Sequence, residues 1–493
     1  MENYGFWSLI PPIIAIVLAL RTKQVVISLT IGIWLGWVII NHGNILSGSM
    51  DTLGAFVTVF SDAGNTRTII FTLLVGSLIA LIQRSGGVDG FINAVKNKLQ
   101  DLEDQNSLDK NRKKVQLLAA LTGFVIFVES NISILTVGTL YRPIFDKLKL
   151  PREKLAYLAD SSSAPSCIIF PFNAWGAYIM GLLVLQGLDN PFSVLFQSIA
   201  YNFYPFLALG LVFYLILSGK DFGTMKKASQ RAYNEGKLLS ENATPMISDE
   251  ISMLSAKKNV IHRMANMILP IAVMVLMMPA MLVYTGWADS DSSLGGFMRI
   301  FDAIGNGSGS TSVLTSVSCA ILVAMILYRS QKIMGIKEMV DLSVKGMSGM
   351  ISLALIMVLA FAIGSLCKEL GTGIYVAEST RSWLTPSLVP AIVFVVSCFI
   401  AFSTGTSWGT FAIMISIAVP MAQSFDTNIY LVIGAALGGG VFGDHCSPIS
   451  DTTIISSMAS ASDHIDHVKT QLPYALVSGG IAFLLYLIIG FIG

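Results

Sequence analysis

The chain has 493 residues, of which 54% are hydrophobic and only 12% charged, with a formal net charge of +1. Soluble domains carry roughly 25% charged residues, so the composition reads as a polytopic membrane protein, and the near-zero net charge gives no basis for binding nucleic acid. Cys167, Cys319, Cys367, Cys398 and Cys446 are scattered without paired spacing, which argues against a disulfide framework or a zinc site.

Taken in order, apolar runs lie near 6–20, 25–41, 68–83, 115–140, 155–186, 197–218, 264–286, 311–328, 350–367, 389–420, 429–460 and 471–492. The N-terminus lacks the basic region of a cleaved signal peptide, so the first run is read as a retained helix. Basic residues between the runs are uneven. Arg21 and Lys23 follow the first run; Lys96 to Lys114, Arg142 to Lys154, Lys220 to Arg263 and Arg329 to Lys345 form further basic segments. By contrast 42–66 has no Lys or Arg, and 287–310 sets Asp289, Asp291 and Asp302 against Arg299 alone.

Basic loops stay on the cytoplasmic side. The run 115–140 has basic segments at both ends, which a simple span cannot place on one side. Its middle, Glu129-Ser130-Asn131-Ile132-Ser133, suits the tip of a re-entrant hairpin entering from the cytoplasm. The run 389–420, with Ser403-Thr404-Gly405-Thr406-Ser407 at its centre, is read as a second hairpin from the opposite side. The expectation is an all-α membrane protein of ten spans and two hairpins, with both termini outside. Five spans and one hairpin fall in 1–218 and again in 264–493, on either side of a polar cytoplasmic loop, 219–263. An odd number of spans per half inserts the halves upside down relative to each other.

The halves also share their interruptions. Asp160-Ser161-Ser162-Ser163-Ala164-Pro165-Ser166 corresponds to Asp444-His445-Cys446-Ser447-Pro448-Ile449-Ser450. Inverted repeats whose broken helices meet at the midplane are the plan of secondary transporters. Pro165, Gly443 and Pro448 are read as helix breaks, because proline removes a backbone hydrogen bond and freed backbone is tolerated at membrane depth only inside protein.

Each ionisable group at the bilayer centre costs at least ~2.5 kcal/mol, so the polar clusters are read as a binding site. Sodium takes oxygen ligands, and tip 129–133, break 160–166, tip 403–407 and break 443–453 supply carboxylates, hydroxyls and amides. Asp160 and Asp444 are the first candidates for carboxylates that hold either Na+ or a proton; Glu129 and Asp451 follow. For Glu129 the alternative is pairing with a basic residue of a neighbouring span. Asn131, Asn173 and Thr406 are candidate neutral ligands, with Ser130, Ser133, Ser166, Thr404, Ser407 and Thr452 beside them. Ser163, Ser447 and Ser450 are either ligands or helix caps, with Ser447 a natural N-cap to a half-helix opened by Pro448. His445 is either a pH-responsive relay or a hydrogen-bonded brace. Trp175 and Trp408 read as packing residues, and His464, His467 and Lys469 as a solvated cytoplasmic loop.

The segment Gly443-Asp444-His445-Cys446-Ser447-Pro448-Ile449-Ser450-Asp451-Thr452 resembles the signature of the NhaC-type sodium/proton antiporter family. Leu9-Ile10-Pro11-Pro12-Ile13-Ile14-Ala15-Ile16, with Ile33-Trp34-Leu35-Gly36, is similar to that family's N-terminal pattern. The resemblance implies a multi-pass protein of a bacterial cell membrane. It also implies an inverted-repeat fold, a homodimer, and a mobile transport domain moving against a scaffold in an elevator-like cycle. Na+ and H+ would be cargo, and no cofactor is implied. Family members resembling this chain include sodium/proton antiporters and malate/lactate exchangers, so a small organic anion or amino acid is the alternative cargo. Carboxylate transporters of the superfamily carry Ser-Asn-Thr at the hairpin tips; Ser130-Asn131-Ile132 and Gly405-Thr406-Ser407 depart from it. Gly440-Val441-Phe442-Gly443-Asp444 has one residue too many for the Gly-x-Gly-Asp pattern of intramembrane aspartyl proteases, so an enzyme is not expected.

Overall fold

The computed structural model describes residues 4–22, 24–99, 108–127, 129–245, 256–257, 260–380, 382 and 384–492. All regular structure among them is helical, as apolar spans require, since lipid offers the backbone no hydrogen-bond partner. Among the described residues eight helices are long and apolar enough to cross a membrane, or nine if one bent pair counts as a single span. The first two expected spans are shorter helices, and Ile45–Ser61, within the segment that has no Lys or Arg and outside the expected apolar runs, is a further apolar helix. The polar segment after Ser218 is not simply a loop: Gly223–Glu235 is a helix.

Nine helices build the centre of the molecule. The first helical pair is α1 (Leu108–Val125) and α2 (Ser130–Lys147), followed by α3 (Arg152–Ile169) and α4 (Ala174–Leu185). In the second half α5 (Val389–Thr404) and α6 (Ser407–Ser424) are followed by α7 (Ile429–Cys446), α8 (Asp451–Ser460) and α9 (His464–Ile492). The α1–α2 pair runs antiparallel: Arg112 Nε donates to the Leu148 carbonyl (2.8 Å) at one end, and Thr122 Oγ1 meets Tyr141 Oη (2.9 Å) further along. Between α5 and α6 the chain turns at Gly405, whose φ of +68° suits glycine. A Cβ there would also lie 2.7 Å from the Ile449 carbonyl, so the turn seats directly on the α7–α8 link.

Each pair embraces both interrupted segments. α3 packs on α1 and α2 of its own half, while α4 reaches α6 of the other. Likewise α7 packs on α5 and α6, while α8 reaches α2. Close approach of α7 to α5 depends on small residues, as in other membrane helix pairs. A Cβ on Gly443 would stand 2.4 Å from the Phe402 nitrogen. Gly443 therefore lies inside a continuous helix, where it permits packing rather than breaking the helix.

The molecule has two chemically different ends. At one, Lys113 Nζ donates to the Leu217 carbonyl (2.9 Å), Arg152 Nη1 to the Ala461 carbonyl (3.2 Å) and Arg231 Nη2 to Glu153 (2.8 Å). There Lys154 also pairs with Asp221. At the other, where Asp62, Asn190, Asp289 and Asn306 line one cavity, Ser308 N donates to Thr285 Oγ1 (3.0 Å).

Candidate functional site

The α7–α8 interruption runs through Ser447–Ser450 and includes Pro448. The α3–α4 interruption lies later than the sequence suggests. Pro165 is inside α3, and the break, with a 44° bend, occupies Phe170 to Asn173. Pro171 accounts for it, because the residue before a proline avoids helical geometry; Phe170 has φ −95° and ψ 104°. α3 carries its hydroxyls internally: Ser162 Oγ donates to the Leu158 carbonyl, Ser163 to Ala159 and Ser166 to Ser162, each at 2.6 Å.

Two carboxylates meet where these segments converge. Asp444 is 3% exposed; its Oδ1 accepts from Ser450 Oγ (2.6 Å) and its Oδ2 from Ser407 Oγ (2.8 Å). Asp160 is fully buried; its Oδ2 accepts from Gln471 Nε2 (2.7 Å) and, more loosely, Thr453 Oγ1 (3.4 Å). Among the described residues Asp160 Oδ1 has no partner. The residues adjoining them are bonded to one another, Ser161 Oγ to His445 Nε2 at 2.8 Å, while His445 Nδ1 meets Tyr204 Oη at 2.6 Å. Both nitrogens of His445 are thus engaged in bracing three helices together.

The other candidates divide. Thr452 Oγ1 lies 3.0 Å from Ser450 Oγ, one bond behind Asp444. Ser133 Oγ donates to the Gly123 carbonyl (2.9 Å) and meets Ser163 Oγ (2.8 Å), tying α2 to α3. Asn173 is a structural clasp. Its Nδ2 donates to the Phe127 (2.9 Å) and Cys167 (2.8 Å) carbonyls, and its Oδ1 accepts from the first amides of α4. Ser447 does not cap α8: it ends α7 and donates to the Phe402 carbonyl (2.6 Å), while Ser450 takes the N-cap position. Ser166 and Thr404 bond their own helices, the latter at the Ile400 carbonyl. Glu129 is half-buried in the α1–α2 link, next to the buried Ser130 that opens α2. Asn131 Oδ1 is buried without a partner among the described residues. Thr406 is half-buried at the N-cap of α6, and Asp451 is exposed at the start of α8. Trp175 and Trp408 pack together with ring centres 5.3 Å apart.

Several central residues escaped the sequence reading, chiefly on α9. His467 is buried rather than solvated. Its Nε2 meets Gln471 Oε1 (2.9 Å) and its Nδ1 meets Ser457 Oγ (2.9 Å). Ser457 also meets His464 Nδ1 (3.1 Å), and His464 Nε2 reaches the Pro448 carbonyl (2.7 Å). Gln471 Nε2 additionally donates to the His445 carbonyl. The signal was present, since His464, His467 and Gln471 recur at the three- and four-residue steps of one helix face.

The geometry is that of buried oxygen-rich carboxylates set between helix interruptions, and comparison with known proteins agrees with a transporter. An uncharacterized protein of Haemophilus influenzae is 32% identical over 98% of this chain and 91% of its own length. The malate-2H(+)/Na(+)-lactate antiporter of Bacillus subtilis is 30% identical over 22% of this chain and 23% of its own. The YdaH transporter of Alcanivorax borkumensis shares the fold, with TM-score 0.55 at 14% identity over 90% of this chain and 89% of that one. The signature of the Na+/H+ antiporter family matches residues 184–491, and the chain is a member of that family.

Proposed function

We propose that this secondary transporter exchanges Na+ for H+ by alternating access, with Asp160 and Asp444 binding one or the other. The observation that carries the reading is the orphaned Asp160 Oδ1. A buried polar atom left without a partner costs about 1–3 kcal/mol, and a desolvated Na+ or a proton would satisfy it. Ser407, Ser450, Thr452 and Thr453 surround the pair with hydroxyls whose oxygens can turn toward a cation once their protons are directed elsewhere.

The halves act as inverted repeats in this reading, supported by the reciprocal packing of α4 on α6 and of α8 on α2. The α1–α2 and α5–α6 pairs are re-entrant hairpins from opposite sides. The basic end faces the cytoplasm, both termini lie outside, and two copies associate so that their transport domains can move against a shared scaffold.

Purified protein in sealed liposomes with a trapped pH dye tests this. A Na+ gradient alone drives proton flux, and Asp444→Asn and Asp160→Asn lose it while remaining folded. A response to Na+ only when one organic anion or amino acid is supplied would favour the second reading, a coupled exchanger. That reading has its own support in the likeness to the malate-2H(+)/Na(+)-lactate antiporter.

A further inference from the structure

At the end opposite the basic loops lies a cavity of about 320 Å³ that has no part in the carboxylate site. It is bounded by the start of the Ala63–Arg84 helix, the end of α4, the 285–289 segment and the start of the Gly309–Ser330 helix. Its lining includes Asp62 and Asp289 and, among the described residues, contains no Lys, Arg or His. Asp62 Oδ1 accepts from the Asn65 backbone (2.7 Å), so one of its oxygens caps a helix start and offsets the partial positive charge there. Asn65 is 3% exposed and lines the cavity, and its Oδ1 has no partner among the described residues.

Two threonines of the lining point to the same chemistry. Thr68 Oγ1 already donates to the Gly64 carbonyl (2.8 Å), and Thr285 Oγ1 to the Met281 carbonyl (2.8 Å). Their single protons are committed, so they offer the cavity lone pairs. Two carboxylates, an orphaned amide oxygen and two acceptor hydroxyls favour a cation over an anion. At roughly 30 Å³ per water, the volume suits a hydrated or organic cation rather than a bare ion.

The floor of the cavity is Met180 and Gly181 of α4. A Cβ on Gly181 would lie 2.8 Å from the Phe361 ring, which packs 6.0 Å from Tyr178. Tyr178 packs 4.9 Å from Trp408 and donates to its carbonyl (2.9 Å). Trp408 adjoins Ser407, the residue that bonds Asp444. Three rings therefore separate the cavity from the carboxylates.

We propose that this cavity is a cation-binding antechamber, taking Na+ or an organic ammonium at Asp62, Asn65 and Asp289 ahead of the aromatic barrier. Its place ahead of the barrier rests on the transport reading; the binding does not. Crystals of the full chain soaked in Tl+, and separately in a bromoalkylammonium salt, test it by anomalous scattering. A Tl+ peak beside Asn65, absent in Asp62→Asn/Asp289→Asn, supports an inorganic cation. A bromine peak alone supports an organic ammonium. No peak in either soak overturns the proposal. In liposomes the double variant raises the KM for cation supplied at that face roughly tenfold with kcat kept, and an unchanged KM contradicts the antechamber. A Tl+ peak that persists while Asp444→Asn still transports would instead defeat the carboxylate reading alone.

Discussion

Asp444 and Asp160 stand next to the same Ser161–His445 hydrogen bond, yet their surroundings differ. Asp444 has both oxygens bonded, each by a serine hydroxyl from its own half of the chain. Asp160 has one oxygen orphaned and the other held chiefly by Gln471, from the opposite half. Hydroxyls can exchange donor for acceptor by rotating, whereas an amide NH2 only donates. Asp444 is therefore dressed in ligands that suit a cation as well as a carboxylate, while Asp160 is anchored on one side and open on the other.

The largest expected effects test whether both carboxylates are needed. Each substitution removes a carboxylate charge proposed to hold the ion, so Asp160→Asn and Asp444→Asn should each lower Na+-driven flux roughly 100-fold or more. Equal losses would place both groups at the ion; survival of flux in Asp160→Asn would confine the ion to Asp444 and undo the meaning given to the open oxygen. Gln471→Leu comes next. It strips Asp160 of its main donor and the His445 carbonyl of another, and a thermal-shift assay in detergent should show a loss of about 1–3 kcal/mol. Unaltered stability would mean that Asp160 is not anchored from the other half.

Smaller effects separate the two hydroxyls. Ser407→Ala and Ser450→Ala should each weaken Na+ affinity by about 1 kcal/mol, close to fivefold in KM, leaving the variants folded. Effects confined to stability would make these serines braces. Asp463, outside the spans, is a control. Burial opposes its ionisation, but the Asp466 and Thr244 backbone amides and the Thr244 hydroxyl hold its carboxyl below the usual range. Its contribution to stability is present above the unfolded value near 4 and is lost as pH falls through the folded one. Asp463→Asn should flatten that acid limb of the melting curve without touching transport at neutral pH; a transport defect would enrol Asp463 in the site.

How far the sequence reveals this arrangement depends on the kind of signal. The apolar runs and the Asp444 cluster announce themselves, because lipid penalises polar groups strongly enough to leave a plain pattern. Gly405 marks its turn for a steric reason that composition also shows. Pro165 misleads, since the helix continues through it to Ile169, while Pro171 and Asn173 carry the true break. Gln471 and His467 were hidden by their position at the head of an apolar run, where a polar face reads as the start of a loop. The Asp62–Asn65 cavity has no linear signature, because its walls come from both halves of the chain.

The hydrogen bonds along α9 have an arithmetic of their own. Gln471 gives its NH2 to Asp160, so its Oε1 must accept, and His467 must carry its proton on Nε2. The Pro448 carbonyl requires the same of His464. Both Nδ1 atoms are then lone pairs turned on Ser457, whose single proton is also sought by the Thr453 carbonyl. Three acceptors share one hydrogen. The line that begins at the open carboxylate and returns to the broken helix thus leaves two of the three acceptors without the Ser457 hydrogen, and its supply of donors runs out at that one hydroxyl.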